Sequence, residues 1–86
     1  MKFNSAPTRI YSISEEGKLV AEITFPLIEG KTYCINHTFV DESLAGQGVA
    51  SQLVQTAVDK IHGYGGQVSA TCSYAIKWLE KHPEVK

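Results

Sequence analysis

The stretch Leu44-Ala45-Gly46-Gln47-Gly48-Val49-Ala50 decides the fold of this 86-residue chain. It follows an apolar, strand-like segment (33–40) and precedes a helix-like one (49–61). A strand that turns through glycines into a helix leaves several backbone N–H groups without partners beside the positive end of the helix dipole. Because Gly46 and Gly48 have no Cβ, the backbone can turn tightly and a ligand can come close. The stretch therefore predicts a binding site for phosphate oxygens.

Length and composition limit the classes of protein that fit. The chain is long enough for one domain (1–86) with a small core. A formal net charge of -1 argues against nucleic-acid binding. No apolar run approaches the roughly 20 residues of a membrane span, and the N-terminus lacks the apolar core of a secretory signal. Cys34 and Cys72 are too few for a disulfide framework, so we expect a reduced, cytoplasmic protein. A homodimer would bury more surface, although no residue pattern specifies one.

Before the glycine turn, the sequence predicts an antiparallel meander of three strands. Segments 9–13, 18–27 and 33–40 alternate between apolar and polar residues, and 14–17 and 29–31 have turn compositions. Proline 26 is expected to end regular pairing of the second strand, because it cannot donate a ladder hydrogen bond. One face of the third strand should then carry Tyr33, Ile35, His37 and Phe39, and the other Cys34, Asn36, Thr38 and Val40.

After the turn, the sequence predicts a helix, a short strand and a second helix. Apolar residues at helical spacing form one stripe on the first helix: Ala50, Leu53, Val54, Ala57, Val58 and Ile61. Glycines at 63, 65 and 66 should end it, and strand 67–71 should run parallel to the third strand. The last helix should run from Ser73 or Tyr74 to Lys81, with Ser73 as N-cap and Pro83 ending it. The predicted fold is α+β, in the order βββαβα.

Two common phosphate-binding motifs do not fit the turn. A Walker-type loop has Lys and then Ser or Thr after its last glycine, whereas Gly48 is followed by Val49 and Ala50. A Rossmann fingerprint needs a third glycine and a parallel start, whereas these strands are expected to be antiparallel. The acyl-CoA loop of acetyltransferases, which follows a meander, and a purely structural turn without ligand both stay open.

The residues around the turn resemble the GNAT superfamily of N-acetyltransferases. The run Ala45-Gly46-Gln47-Gly48-Val49-Ala50 is similar to its Arg/Gln-x-x-Gly-x-Gly/Ala pyrophosphate motif, with Ala45 where Arg or Gln is usual. Downstream, Cys72-Ser73-Tyr74-Ala75 with Trp78, and then His82-Pro83-Glu84, resembles the end of the small, stand-alone branch. That branch keeps only the acetyl-CoA-binding half of the fold. The likeness covers about 24–84, most of the chain.

The resemblance implies a truncated GNAT-like fold with acetyl-CoA as co-substrate. Most pyrophosphate contacts would come from backbone amides, and the loss of a polar side chain at Ala45 weakens the expected affinity. The third and fourth strands would splay apart, with the pantetheine arm between them near Asn36 to Val40. No metal set is expected, because Cys34 and His37 should point to opposite faces of the sheet. The implied cofactor-binding residues are Asn36, Thr38, Phe39, Val40, Ala45, Gly46, Gln47, Gly48, Val49, Ala50, Cys72 and Tyr74.

Three residues are candidates for catalysis. Cys72 precedes a helix start, where backbone amides favour a thiolate that can meet the acetyl thioester; the alternative is a small packed residue. By the resemblance, Tyr74 protonates the departing CoA thiolate; the alternative is an aromatic of the core or of an interface. His37 can serve as general base or contact the acceptor; the alternative is a packed strand histidine. Trp78 is expected to belong to the core.

The function that these residues favour is an N-acetyltransferase that transfers acetyl to an amine, directly or through Cys72. Larger family members build the acceptor pocket from segments that this sequence does not contain, so its acceptor side should be open or completed by another subunit. The acceptor cannot be identified from the sequence. The alternative is a non-catalytic acyl-CoA-binding or protein-interaction module with the same fold, which Ala45 and the missing acceptor half favour. Cys72 and Tyr74 favour the enzyme.

Overall fold

Two small β-sheets and two helices make up the chain in the computed structural model, which describes residues 2–85. One sheet is antiparallel, in the order β1-β2-β3-β6, and the other has the order β4-β5-β7, with β5 and β7 parallel. This confirms an α+β fold with an antiparallel meander and two helices. The elements are β1 (Asn4–Ala6), β2 (Arg9–Ile13), β3 (Leu19–Thr24), β4 (Leu27–Glu29), β5 (Thr32–Ile35), β6 (His37–Val40), a 3₁₀ turn (Glu42–Leu44), α1 (Val49–Gly63), β7 (Gln67–Ala70), α2 (Ser73–Lys81) and a second 3₁₀ turn (Pro83–Val85).

The hairpin of β2 and β3 follows the predicted pattern. The Gly17 N–H donates to the Ser14 carbonyl at 2.9 Å, and Gly17 has the left-handed φ of 84° that its turn requires. On β3, Ala21 and Ile23 are fully buried beneath α1, as the alternation predicts. Strand β1 pairs with β2 and was not predicted, because its short, polar sequence shows no apolar alternation.

The prediction of one continuous third strand is wrong. The segment is divided at Asn36 into β5, which pairs with β4 and β7, and β6, which pairs with β3. The Asn36 N–H donates to the Thr24 carbonyl at 3.2 Å, and its side-chain oxygen accepts from the Thr24 hydroxyl at 2.5 Å. These two bonds hold the chain at the break. The alternation is broken there as well, since Cys34 and Ile35 are both buried whereas His37 is exposed.

The two helices lie against the sheets largely as predicted. On α1, the buried stripe is Val49, Leu53, Val54, Ala57, Val58 and Ile61, so Val49 takes the place expected for Ala50. The helix ends in a Schellman arrangement, in which the Gly65 and Gly66 N–H groups donate to the His62 and Ile61 carbonyls. The N-cap of α2 is Cys72 and not the predicted Ser73, which is the first helical residue.

The core lies between the helices and the two sheets. Its largest fully buried side chains are Phe25, Ile10, Ile23, Ile35, Leu53 and Ile61. Trp78 joins this core, as expected, and is 6% exposed; its indole N–H donates to the Ser51 hydroxyl on α1 at 2.9 Å. This bond ties the start of α1 to the middle of α2. Within residues 2–85, neither helix has the length and apolar character needed to cross a membrane.

Candidate functional site

A groove opens where β6 separates from β7. The last bonds that join the two sides are made by the Ile35 carbonyl, which accepts from the N–H groups of Thr71 and Cys72 at 3.1 and 3.2 Å. Beyond this point β6 pairs with β3, and no strand of residues 2–85 occupies its other edge. The predicted splay between the two strands is therefore present.

The open edge of β6 presents backbone groups to the groove. The register of β3 and β6 pairs Ala21 with Val40, so the next residues, Val20 and Asp41, lie opposite each other. The Asp41 N–H donates to the Val20 carbonyl at 2.8 Å, so Val20 and Asp41 form a hydrogen-bonded pair of the antiparallel ladder. Because such pairs alternate with non-bonded ones, Thr38 and Val40 direct their N–H and C=O groups away from β3. The groove therefore has, along one side, donors and acceptors suited to an extended ligand that contains amides.

The glycine turn forms one end of this groove and has the predicted strand–turn–helix geometry. Gly46 and Gly48 have φ values of 78° and 71°, in the left-handed region that glycine adopts without strain. Gly48 is the N-cap of α1. In the described part of the chain, five N–H groups of the turn and first helical positions have no backbone acceptor: those of Gly46, Gly48, Val49, Ala50 and Ser51. Together with the helix dipole, they form a positive, anion-binding end of the groove.

A cavity of about 320 Å³ connects the turn with the open edge of β6 and with α2. Four of its lining residues were not predicted, namely Asp41, Glu42, Leu44 and Ser51. Their signal in the sequence was only their nearness to the glycines. The predicted residues that line it are Val40, Ala45, Gly46, Gly48, Val49, Ala50 and Tyr74.

Asp41, one of the two acidic residues that line the cavity, is held by its own neighbours. One oxygen of Asp41 accepts from the Ser43 N–H at 3.0 Å and from the Ser43 hydroxyl at 2.6 Å, which caps the 3₁₀ turn. Its other oxygen lies 3.3 Å from the Lys18 ammonium group. The hydrogen bonds from Ser43, the hydroxyl foremost, and the contact with Lys18 lower the pKa of Asp41 below its ordinary value. The carboxylate is thus ionised at neutral pH, and Lys18 offsets its charge beside the anion-binding end.

Cys72 lies at the other end of the groove, where β7 gives way to α2. Its thiol donates to the Thr38 hydroxyl at 3.6 Å, across the groove on β6. Partial burial raises the pKa of the thiol, but the backbone N–H groups of Ala75, Tyr74 and Thr38 and the Thr38 hydroxyl favour the thiolate. The net effect lowers the pKa of Cys72 below its ordinary value. The Tyr74 and Ala75 amides belong to the first turn of α2, for which Cys72 is the N-cap.

The remaining predicted residues lie at the margins of the groove. Asn36 holds the break between β5 and β6 through its bonds to Thr24. Phe39 and His37 share the face of β6 opposite Thr38 and are both exposed. Gln47 does not line the cavity, and its N–H donates to the Leu44 carbonyl at 3.3 Å.

Two further features bear on the chemistry. The imidazole of His37 lies 3.4 Å from the carboxylate of Glu22 on the neighbouring strand β3. This contact was missed, because the register that places the two residues side by side cannot be obtained from either segment alone. No group of three or more His, Cys, Asp or Glu side chains within residues 2–85 is arranged to hold a metal ion.

Comparisons with known proteins agree on one family. A family model described as GCN5-related N-acetyl-transferase matches residues 10–86. A search of curated proteins found no match. Among solved structures, the NMR solution structure of a GCN5-like protein from Staphylococcus aureus aligns with a TM-score of 0.79 and 28% identity, covering 98% of this chain and 82% of that one.

More distant structures share the fold. An IAA acetyltransferase from Bacillus cereus aligns with a TM-score of 0.67 and 20% identity over 85% of this chain. A ribosomal-protein-alanine N-acetyltransferase from Brucella melitensis aligns with a TM-score of 0.62 and 18% identity, also over 85%. This chain spans only 51% and 60% of the lengths of those two proteins. At such identities the likeness establishes the fold and says nothing about substrates.

Proposed function

Because this chain belongs to the GCN5-related N-acetyltransferase family, we propose that it binds acetyl-CoA in the groove between β6 and β7 and transfers the acetyl group to an amine. The observation that carries the proposal is one cavity that joins the glycine turn, the end of β6 and Tyr74. A turn with a purely structural role does not require an open strand edge and a half-exposed tyrosine beside it.

The pyrophosphate would lie on the free N–H groups of the turn and of the first residues of α1. These amides are fixed in direction by the backbone, so they can bind phosphate oxygens without a basic side chain. With Ala45 in place of Arg or Gln, the binding energy comes from the backbone and the helix dipole. We therefore expect binding weaker than that of a relative with a charged residue there.

The pantetheine arm would run from the turn along β6 towards Cys72. Val40 is the nearer of the two open backbone positions to the turn, and Thr38 is the nearer to Cys72, whose thiol contacts its hydroxyl. Pairing of the pantetheine amides with these positions resembles strand addition to an open edge. The acetyl thioester would then lie near Thr38 and Cys72.

For transfer, the neutral amine attacks the thioester carbonyl carbon, and the C–S bond breaks as the C–N bond forms. The Thr38 N–H, the open donor of β6 nearer to the thioester, stabilises the oxyanion, which leaves the Thr38 carbonyl and the N–H and carbonyl of Val40 to the pantetheine amides. His37 accepts the proton that the amine loses, and the Tyr74 hydroxyl donates a proton to the leaving CoA thiolate. The products are an N-acetylated amine and CoA, and every proton has a donor and an acceptor.

A route through Cys72 is the second mechanism that the geometry favours. The lowered pKa of the thiol and its position opposite Thr38 suit a nucleophile. Its sulfur would displace CoA to form an acetyl-cysteine, and the amine would attack this second thioester. The two routes differ in whether the protein itself is acetylated during the reaction.

Calorimetric titration with CoA and acetyl-CoA, followed by a panel of amines, tests the proposal. We expect binding, a stabilisation of about 2.7 kcal/mol at 100 times Kd, and acetylation of at least one amine. An acetyl adduct on Cys72, absent from Cys72→Ser and kept in the matched variant Cys34→Ser, would identify the covalent route. Binding without transfer would refute acetyltransferase activity and favour the non-catalytic acyl-CoA-binding module. Absence of binding would refute the proposal that the groove binds acetyl-CoA.

A further inference from the structure

Three charged or ionisable side chains meet on the face of the antiparallel sheet that lies away from α1. Ala21 and Ile23 point into the core beneath α1, so Glu22 between them points to the opposite face. Arg9 on β2 and His37 on β6 lie diagonally on either side of it, because the register pairs Glu22 with Tyr11 and Phe39. The proposed transfer does not by itself require such a cluster.

Glu22 uses a different oxygen for each neighbour. Its Oε2 forms an ion pair with Arg9 Nε, and its Oε1 lies 3.4 Å from His37 Nε2. The Arg9 guanidinium is in turn held over the Tyr11 ring, with its carbon 4.0 Å from the ring centroid. The Glu22 side chain is 17% exposed, against 53% for His37. Arg9 therefore holds one oxygen of the Glu22 carboxylate, and the other oxygen lies beside the His37 imidazole.

We propose that Glu22, held in place by Arg9, is a positioning residue for His37 in acetyl transfer; the inference rests on the function proposed above. His37 stands on β6, the strand that borders the groove, one residue from Thr38. Because Nε2 is the ring nitrogen that lies 3.4 Å from the carboxylate, we expect neutral His37 to carry its proton on Nε2. The lone pair of Nδ1 would then accept the proton of an amine.

Arg9 limits the rotation of the Glu22 side chain, because its guanidinium pairs with Oε2 of the carboxylate and lies over the Tyr11 ring. A role in sheet stability alone would fix neither the tautomer of His37 nor the rate of transfer.

Two measurements test the inference. Long-range ¹⁵N–¹H NMR of the free protein reports the His37 tautomer, and we expect Nε2–H in the wild type and a mixture in Glu22→Gln. Steady-state kinetics with acetyl-CoA and the amine most rapidly acetylated in the panel should show kcat lowered about tenfold in Glu22→Gln, with KM for acetyl-CoA unchanged. The matched control is Glu29→Gln, an exposed strand glutamate on β4, which should change neither readout.

The double variant Arg9→Gln/Glu22→Gln tests whether misfolding, and not loss of the carboxylate, lowers kcat. It removes both charges together, so no guanidinium is left unpaired, and it should show the same loss of kcat with a melting temperature near that of the wild type. An Nδ1–H tautomer in the wild type, or wild-type kcat in both variants, would overturn the inference. Absence of transfer by the wild type to every amine would instead overturn the proposed function, and with it any positioning role.

Discussion

Replacement of Gly48 by alanine should have two effects: backbone strain should lower the melting temperature, and a changed ligand site should lower the affinity for CoA. Gly48 has a φ of 71°, and a Cβ placed there would meet no protein atom within 4 Å. Alanine therefore costs only the strain of the left-handed conformation, about 1–2 kcal/mol. At about 4–8 °C per kcal/mol for a domain of this size, the melting temperature should fall by about 4–16 °C. The new methyl group would also stand before the free amides, so affinity for CoA should fall at least about tenfold, which is ~1.4 kcal/mol.

The matched control for this variant is Gly65→Ala. Gly65 has a φ of 75° and equally open surroundings, but it lies just beyond the other end of α1. A helix of 15 residues separates the two positions by ~22 Å. Thermal melting should show similar losses for both variants, whereas calorimetry with CoA should show weaker binding for Gly48→Ala alone. Equal CoA affinity in the two variants would refute the turn as the pyrophosphate site.

Two further predictions concern the thiols and a close backbone contact. Because the pKa of Cys72 is lowered, a larger fraction of it should be thiolate at neutral pH than of an ordinary cysteine. Iodoacetamide should therefore modify Cys72 faster than buried Cys34. Bound acetyl-CoA should slow the modification of Cys72. Mass spectrometry of the alkylated sites across neutral pH checks this, and equal rates would contradict it. Gly66→Ala would place a Cβ 2.8 Å from the Lys31 carbonyl oxygen and should cost about 1–3 kcal/mol in denaturant unfolding. The control Gly63→Ala meets nothing within 4 Å and should be neutral or stabilising by about 0.4–1 kcal/mol.

Local patterns were sufficient to predict much of the fold and one end of the site. The apolar stripe of α1, the hairpin at Gly17 and the left-handed glycines of the turn are all encoded within a few residues of where they act. Tyr74 could be placed near the turn only through the resemblance to a known family. Tyr74 and the N-terminus of α1 line the same cavity, although they are far apart in the sequence.

What could not be predicted depends on partners that are distant in sequence. No residue type within 33–40 marks a break, and the strand is seen to divide only through the bonds that Asn36 makes with Thr24, 12 positions away. Strands β1 and β4 have three residues each and exist because a neighbour pairs with them. The contact of His37 with Glu22 likewise requires the register of β3 against β6.

The break at Asn36 links the fold to the proposed chemistry. A strand that stayed paired with β7 as far as Val40 would use the Thr38 and Val40 peptide groups in its own ladder, leaving no open edge. Because pairing with β7 ends at Ile35 and β6 turns to β3, those groups face a groove instead. Peptide groups that leave a ladder must be satisfied by a side chain, such as the Cys72 thiol beside the Thr38 N–H, by water or by a ligand. A ligand with amides of its own can replace that water with little loss of hydrogen bonding. The same divergence places the Cys72 thiol opposite Thr38, where a thioester carried along the edge would arrive.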